Sequence, residues 1–215
     1  MSTRHDEFDD LLRVLDEAGC LSHVLIVGSW AEYLYEAAGA IAGYQCAIRT
    51  LDADVLVRNR RRPADALSMP EVAKRHGFLV VRDRITDTTK LVHPMGLEVE
   101  FLLGKVGAGL EPSMGTNLGV TAQTLRHLDI LSRNPMGVRY QGMDVLVPIP
   151  EAYVAQKMVV NHERGSKSDK DAAAIANLWP HLDLNAFEEV RSSLTRRETA
   201  RLDDYMRRHG SELAT

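Results

Sequence analysis

Cysteine is scarce in this 215-residue chain. Cys20 and Cys46 are the only two, and they lack C-x-x-C spacing. That excludes a disulfide scaffold and a thiolate zinc site, and reads as reduced, structural cysteine in an intracellular protein. No apolar run approaches the roughly 18 residues of a membrane-spanning helix. The stretch Met1 to Asp10 is polar and acidic, wrong for a signal peptide, so cytoplasm and no membrane are expected. The eight histidines show no H-x-x-x-H spacing, and none is assigned to zinc. Gly-x-Ser-x-Gly is absent, so Ser29 is not a nucleophile on a strained elbow. Lys-Ser/Thr does not follow the glycines of 104–109, which excludes a Walker A loop. A formal net charge of −4 carries no global nucleic-acid signal, although a local basic patch can still grip phosphates.

What the chain does have is enough apolar residue, 45%, for one sizeable domain with a helical extension. The informative stretch is Val24 to Val57. Val24-Leu25-Ile26-Val27 suits a short buried strand, and Gly28-Ser29 follows at once. Trp30 to Ala38 reads as a helix with Ser29 as its N-cap. Its aromatics Trp30, Tyr33 and Tyr35 read as core. Thr50 to Val57 reads as a second strand carrying Asp52 and Asp54. Residues i and i+2 of a strand share a face, about 6.6 Å apart. Leu51, Ala53, Val55 and Val57 then face the other way. Two carboxylates on one face repel unless a cation lies between them. Mg²⁺, which takes one or two carboxylates plus substrate phosphates, answers that requirement. The Gly-Ser turn would offer N–H groups at a helix N-terminus to an anionic phosphate. On this reading Gly28→Val blocks the phosphate and leaves the fold nearly intact.

The remaining pattern divides at Pro150. Before it, Asp9 to Ala18 and Met69 to His76 read as helices, and Phe78–Val81, Lys90–His93 and Met143–Ile149 as strands. Leu97 to Leu102 alternates, sending Glu98 and Glu100 to one face. Lys105 to Gly119 reads as a glycine-rich mobile loop, and Leu125 to Leu131 is ambiguous. The run Arg58 to Arg62 is either a solvated loop or a basic lip beside the carboxylates. After Pro150 the chain reads as helices. Lys157, Asn161 and Arg164 fall on one stripe, either solvated or facing the carboxylates, and Ser168 caps the next helix.

Gly28, Ser29, Asp52 and Asp54, in that order and between apolar runs, resemble the DNA polymerase β-like nucleotidyltransferase superfamily. That pattern adds a third carboxylate on a later strand. Gly96, Val99, Glu100 and Phe101 look like the corresponding segment of a bacterial group of nucleotidyltransferase-like proteins. The resemblance implies Glu100 as third metal ligand, with Glu98 as second choice, where the superfamily more often has Asp. Lys157 to Asp171 is similar to a lysine helix and Lys-Asp segment of the abortive-infection type IV toxin nucleotidyltransferases, so a toxin-antitoxin-like role is among those implied. The likeness runs in motif order from Val24 to about Trp179.

The resemblance implies an α+β fold: a nucleotidyltransferase-type mixed sheet with flanking helices over 1–149, then a helical half over 150–215. It implies a metal-dependent transfer of an NMP group from an NTP to a hydroxyl. Asp52, Asp54 and Glu100 would hold Mg²⁺ or Mn²⁺, and Gly28, Ser29, Lys157 and Arg164 would hold the phosphates. The acceptor stays open among an RNA end such as tRNA, a protein hydroxyl and a small molecule such as an antibiotic. Oligomeric state stays open too. The competing expectation is a catalytically weak module of the same fold that binds a nucleotide or a partner.

Overall fold

Helix α1 (Arg4–Glu17) leads into strand β1 (Val24–Val27) and helix α2 (Ser29–Ala37) in the computed structural model. Strand β2 (Asp52–Val57) and helix α3 (Met69–Arg75) come next. Strands β3 (Leu79–Arg82), β4 (Thr89–Val92), β5 (Glu98–Gly104), β6 (Ser113–Gly115) and β7 (Thr121–Leu125) follow. A one-turn helix α4 (Asp129–Ser132) precedes the hairpin β8 (Pro135–Tyr140) and β9 (Met143–Pro148). The rest is helical: α5 (Pro150–Val160), α6 (Ser168–Leu178), α7 (Leu184–Ser192) and α8 (Arg196–Leu213). The structure describes residues 4–46, 50–105, 111–163, 165 and 168–213. The fold is α+β, with a mixed sheet and flanking helices as expected.

Strands β1 to β7 form one sheet. Its main order is β1-β2-β5-β4-β3, and β7 pairs with the far half of β5 while β6 pairs with β7. The two carboxylate-bearing strands, β2 and β5, are central and parallel. Their register sets Asp52 opposite Glu98 and Asp54 opposite Glu100. Strand β4 runs antiparallel along the first half of β5, with Lys90 opposite Glu100. Strand β7 runs parallel along the second half, with Leu102 opposite Gln123.

The two-residue period of the strands explains the two faces of this sheet. Ala53, Val55, Val57, Val99, Phe101 and Leu103 all enter the main core. Helix α1 seals that core with Phe8, Leu11, Leu12 and Leu15, all fully buried. Phe8 stacks on Trp30 of α2 at 4.2 Å between ring centres. The helix therefore begins before Asp9, because Phe8 belongs to the same apolar face. On the opposite face of the sheet, Leu25, Val27, Leu56 and Leu102 form a smaller cluster with Leu128 and Leu131. The carboxylates stand at one end of that second face.

Three local expectations change. Leu51 is exposed, because β2 starts at Asp52, two residues later than expected. Part of the expected 105–119 loop is strand β6, held by its pairing to β7, and residues 106–110 lie outside the described residues. The ambiguous 125–131 stretch splits into the end of β7, a turn and α4. Strand β8 was unexpected, since Pro135 and Gly137 look like turn residues. They are tolerated because β8 belongs to a two-stranded hairpin whose only strand partner among the described residues is β9.

Tyrosines tie the sheet to the helices after Pro150. Glu32 of α2 is buried, and it accepts hydrogen bonds from Tyr44 Oη at 2.9 Å and from Tyr153 Oη of α5. Tyr35 Oη donates to the Pro148 carbonyl at 2.7 Å. Burial, and then the Glu32 charge, push the Tyr153 hydroxyl well above its ordinary range, so it stays a donor.

Candidate active site

The Gly28-Ser29 turn abuts Asp54 because β1 and β2 are antiparallel neighbours, with Val27 opposite Asp54. Gly28 has φ +66° and ψ −154°, a conformation that side chains oppose. A Cβ there would lie 2.7 Å from Asp54 Oδ2. Glycine is thus required twice, by the backbone and by the carboxylate. Gly28 is the cap of α2, and Ser29 is its first residue rather than its N-cap. The Ser29 hydroxyl instead bonds Thr50 Oγ1 at 2.8 Å, and Thr50 Oγ1 donates to the Asp52 carbonyl at 3.0 Å. This link fixes the entry to β2. The first N–H groups of α2, which lack intrahelical partners, remain at the turn.

The expectation that Gly28→Val spares the fold is therefore corrected. Even Gly28→Ala is expected to cost about 1–3 kcal/mol of stability, through backbone strain and the displaced carboxylate. A lower denaturant midpoint checks this. An unchanged midpoint would mean that turn and carboxylate relax freely.

A cavity of about 590 Å³ opens on this face, within the usual range for a small-molecule site. Gly28, Asp54 and Glu100 line its floor, and Tyr153, Lys157 and Asp171 line its roof. The cavity thus brings together four residues expected from the sequence: Gly28, Asp54, Glu100 and Lys157. Asp52 and Glu98 are not among its lining residues; Asp52 is exposed, one pleat outward. Ser29 adjoins the cavity through Gly28. Arg164 lies outside the described residues. Asn161, expected on the same stripe as Lys157, is buried and donates to the Ser168 carbonyl at 3.0 Å.

Two ion pairs shape the cavity. Lys157 Nζ lies 2.7 Å from Asp171 Oδ1 and 4.9 Å from the centre of the Tyr153 ring. Lys90 Nζ lies 2.6 Å from Glu100 Oε1 and 3.9 Å from Glu98 Oε2. The hydrogen bond to Glu100 holds Lys90 above the usual lysine range. Lys90 escaped sequence reasoning because only the β4–β5 register sets it opposite Glu100. A smaller cavity of about 220 Å³ adjoins, sharing Glu100 and Gln123 with the first.

The basic run 58–62 does not form a lip beside the carboxylates. Four residues of strand carry the chain about 13 Å from Asp54 before it reaches Arg58. Arg58 and Arg62 line a separate cavity with Ser22 and His23, and the Arg58 N–H donates to the His23 carbonyl at 3.0 Å.

Among the described residues, no three His, Cys, Asp or Glu side chains converge as a ready-made metal cage. The donor set nonetheless suits Mg²⁺. Asp54 and Glu100 are cross-strand neighbours lining one cavity, beside a glycine with no Cβ. An ion that keeps waters and takes phosphate oxygens needs no more than one or two carboxylates.

A search of curated proteins returns no match. Among solved structures the chain is similar to a crystal structure of an antigenic nucleotidyltransferase-like protein from Paracoccidioides brasiliensis. Identity is 16%, covering 95% of this chain and 89% of that one, with a TM-score of 0.49. It is also similar to the solution structure of the antibiotic-resistance factor ANT(2'')-Ia, at 15% identity over 94% of this chain and 96% of that one, with a TM-score of 0.49. Likeness at that level is similarity of outline and nothing finer. No helix among the described residues is long and apolar enough to cross a membrane. A nucleotidyltransferase family model matches residues 6–196, nearly the whole chain, and the chain belongs to that nucleotidyltransferase family.

Proposed function

We propose that this protein transfers an NMP group from an NTP to a hydroxyl acceptor, using Mg²⁺ or Mn²⁺, as a member of the polymerase β-like superfamily. The observation that carries the reading is Asp54 beside Glu100 on the floor of one cavity, with the Gly28 turn against Asp54. Asp54 and Glu100 would hold the metal, with Asp52 contributing from the rim. When bound, divalent ions neutralise triphosphate charge and ease ionisation of the acceptor hydroxyl. Gly28 and Ser29 would present N–H groups to the triphosphate at the start of α2. Lys157 would offset its charge across the cavity, from the helical half, residues 150–215, toward the sheet half, residues 1–149, and Arg164 is assigned the same role from the sequence alone.

In the transfer, the acceptor oxygen bonds to the α-phosphorus. The bond from that phosphorus to the α,β-bridging oxygen breaks. Pyrophosphate leaves with the electron pair, and the hydroxyl proton passes to water. RNA end, protein hydroxyl and small molecule are the acceptor classes in contention.

One observation favours a second reading, a catalytically weak binding module. Lys90 already occupies Glu100 at 2.6 Å, and a cation must displace it. Turnover separates the two readings. Purified protein with each α-labelled NTP, Mn²⁺ and cell extract is expected to release pyrophosphate and label an acceptor, and a chelator should stop both. NTP binding without pyrophosphate release would leave the module.

A further inference from the structure

Three ion pairs account for much of the charge around the cavity. Lys157 pairs with Asp171 at 2.7 Å, Lys90 with Glu100 at 2.6 Å, and Glu163 with Arg201 at 2.6 Å. Lys105 and Arg126 also line the cavity, yet neither meets a carboxylate within 4.0 Å among the described residues. Their proximity is built into the sheet. Lys105 follows the last residue of β5, Arg126 follows the last of β7, and Gly104 is registered opposite Leu125. The Lys105 N–H donates to the Leu125 carbonyl at 2.8 Å, locking the two strand ends together. Two cations side by side repel, and an anionic phosphate relieves that repulsion while accepting their donors.

Their position says which phosphate. The Gly28 turn ends β1, and β1 lies beside β2 on one side of the sheet's centre. Strand β7 lies on the other side of β5. Strands are spaced about 4.8 Å apart, so three steps put β7 about 14 Å from β1. Phosphoryl transfer sets attacking and leaving oxygens roughly in line on opposite sides of the phosphorus. With pyrophosphate leaving toward the Gly28 turn, the attacking hydroxyl comes from the β7 side. We infer that Lys105 and Arg126 form an anion subsite for the acceptor, and that the acceptor carries a phosphate group near its reacting hydroxyl. This rests on the reading of Gly28, Asp54 and Glu100 given under Proposed function. Two sources offer that chemistry, a free nucleoside monophosphate and the 3′ end of an RNA.

Fluorescence anisotropy at physiological salt tests the subsite without turnover. The probes are a short fluorescent single-stranded RNA with a free 3′ hydroxyl, and a fluorescent nucleoside monophosphate. Lys105→Gln combined with Arg126→Gln is expected to weaken the bound probe about 10-fold, while Mg²⁺·NTP affinity stays within about twofold. Lys105→Arg, which keeps the charge, is expected to bind like wild type and shows that the loss is not one of folding. Competition between the probes assigns the source. The inference is overturned if wild type binds neither probe, if the double variant binds as wild type does, or if the loss falls on NTP instead. Mg²⁺·NTP binding by wild type against Asp54→Asn tests the underlying reading separately. Equal Mg²⁺·NTP binding by both proteins, with the phosphate subsite intact, would fault the nucleotide reading alone.

Discussion

Asp54→Asn is expected to lower nucleotidyl transfer by about 100-fold or more, the size of effect seen when one preorganised charge-stabilising group is removed. The exchange is nearly isosteric, so the contact geometry against Gly28 is kept while the charge is lost. Asp54 is half-buried at the cavity floor, between the turn and Glu100. A neutral amide there still fits the strand but no longer balances a divalent ion. Label transfer and pyrophosphate release should fall together, and the thermal midpoint should hardly move. Transfer at the wild-type rate would remove Asp54 from the chemistry.

Glu100→Gln is the second large effect, and its contrast with Glu98→Gln carries the information. Both side chains share a strand face and both approach Lys90. Only Glu100 lines the cavity and stands opposite Asp54. Glu100→Gln is expected to keep NTP binding, because Asp54 remains, yet to lower transfer by about 100-fold. Glu98→Gln removes a partly exposed charge outside the cavity lining, worth at most about 1 kcal/mol, so its transfer rate should change only slightly. Steady-state rates for both variants at saturating NTP check this. The reverse pattern would move the third carboxylate one pleat outward. Two unaffected variants would favour the binding module.

These residues differ in how far the sequence exposes them. Gly28, Ser29 and Asp54 were legible because their relation is local: strand, turn, helix, strand, with fixed spacing. Glu100 was legible from alternation and from the family resemblance, but alternation equally marks Glu98. What separates them is the parallel register of β2 on β5, a tertiary fact. The same register leaves Asp52 exposed, one pleat out from the cavity lining. Lys90, Lys105 and Arg126 needed the pairing of β4 and β7 with β5, and of β7 only Leu125 fell in a stretch read from the sequence, an ambiguous one. The run 58–62 misled for the opposite reason. It is close to Asp54 in sequence, but an extended strand turns four residues into about 13 Å. Glycines and the masking Pro135 hid β6 and β8, which depend on their partners for their shape.

The central claim is that Asp54 holds a metal-bound NTP beside the Gly28 turn, with Glu100 next to it serving the transfer. Calorimetric titration of a non-hydrolysable NTP analogue into wild type and Asp54→Asn, each with and without Mn²⁺, tests it most directly. Wild type should bind only with the metal, and Asp54→Asn should lose that binding at an unchanged thermal midpoint. Equal, metal-independent binding by both proteins would contradict the account.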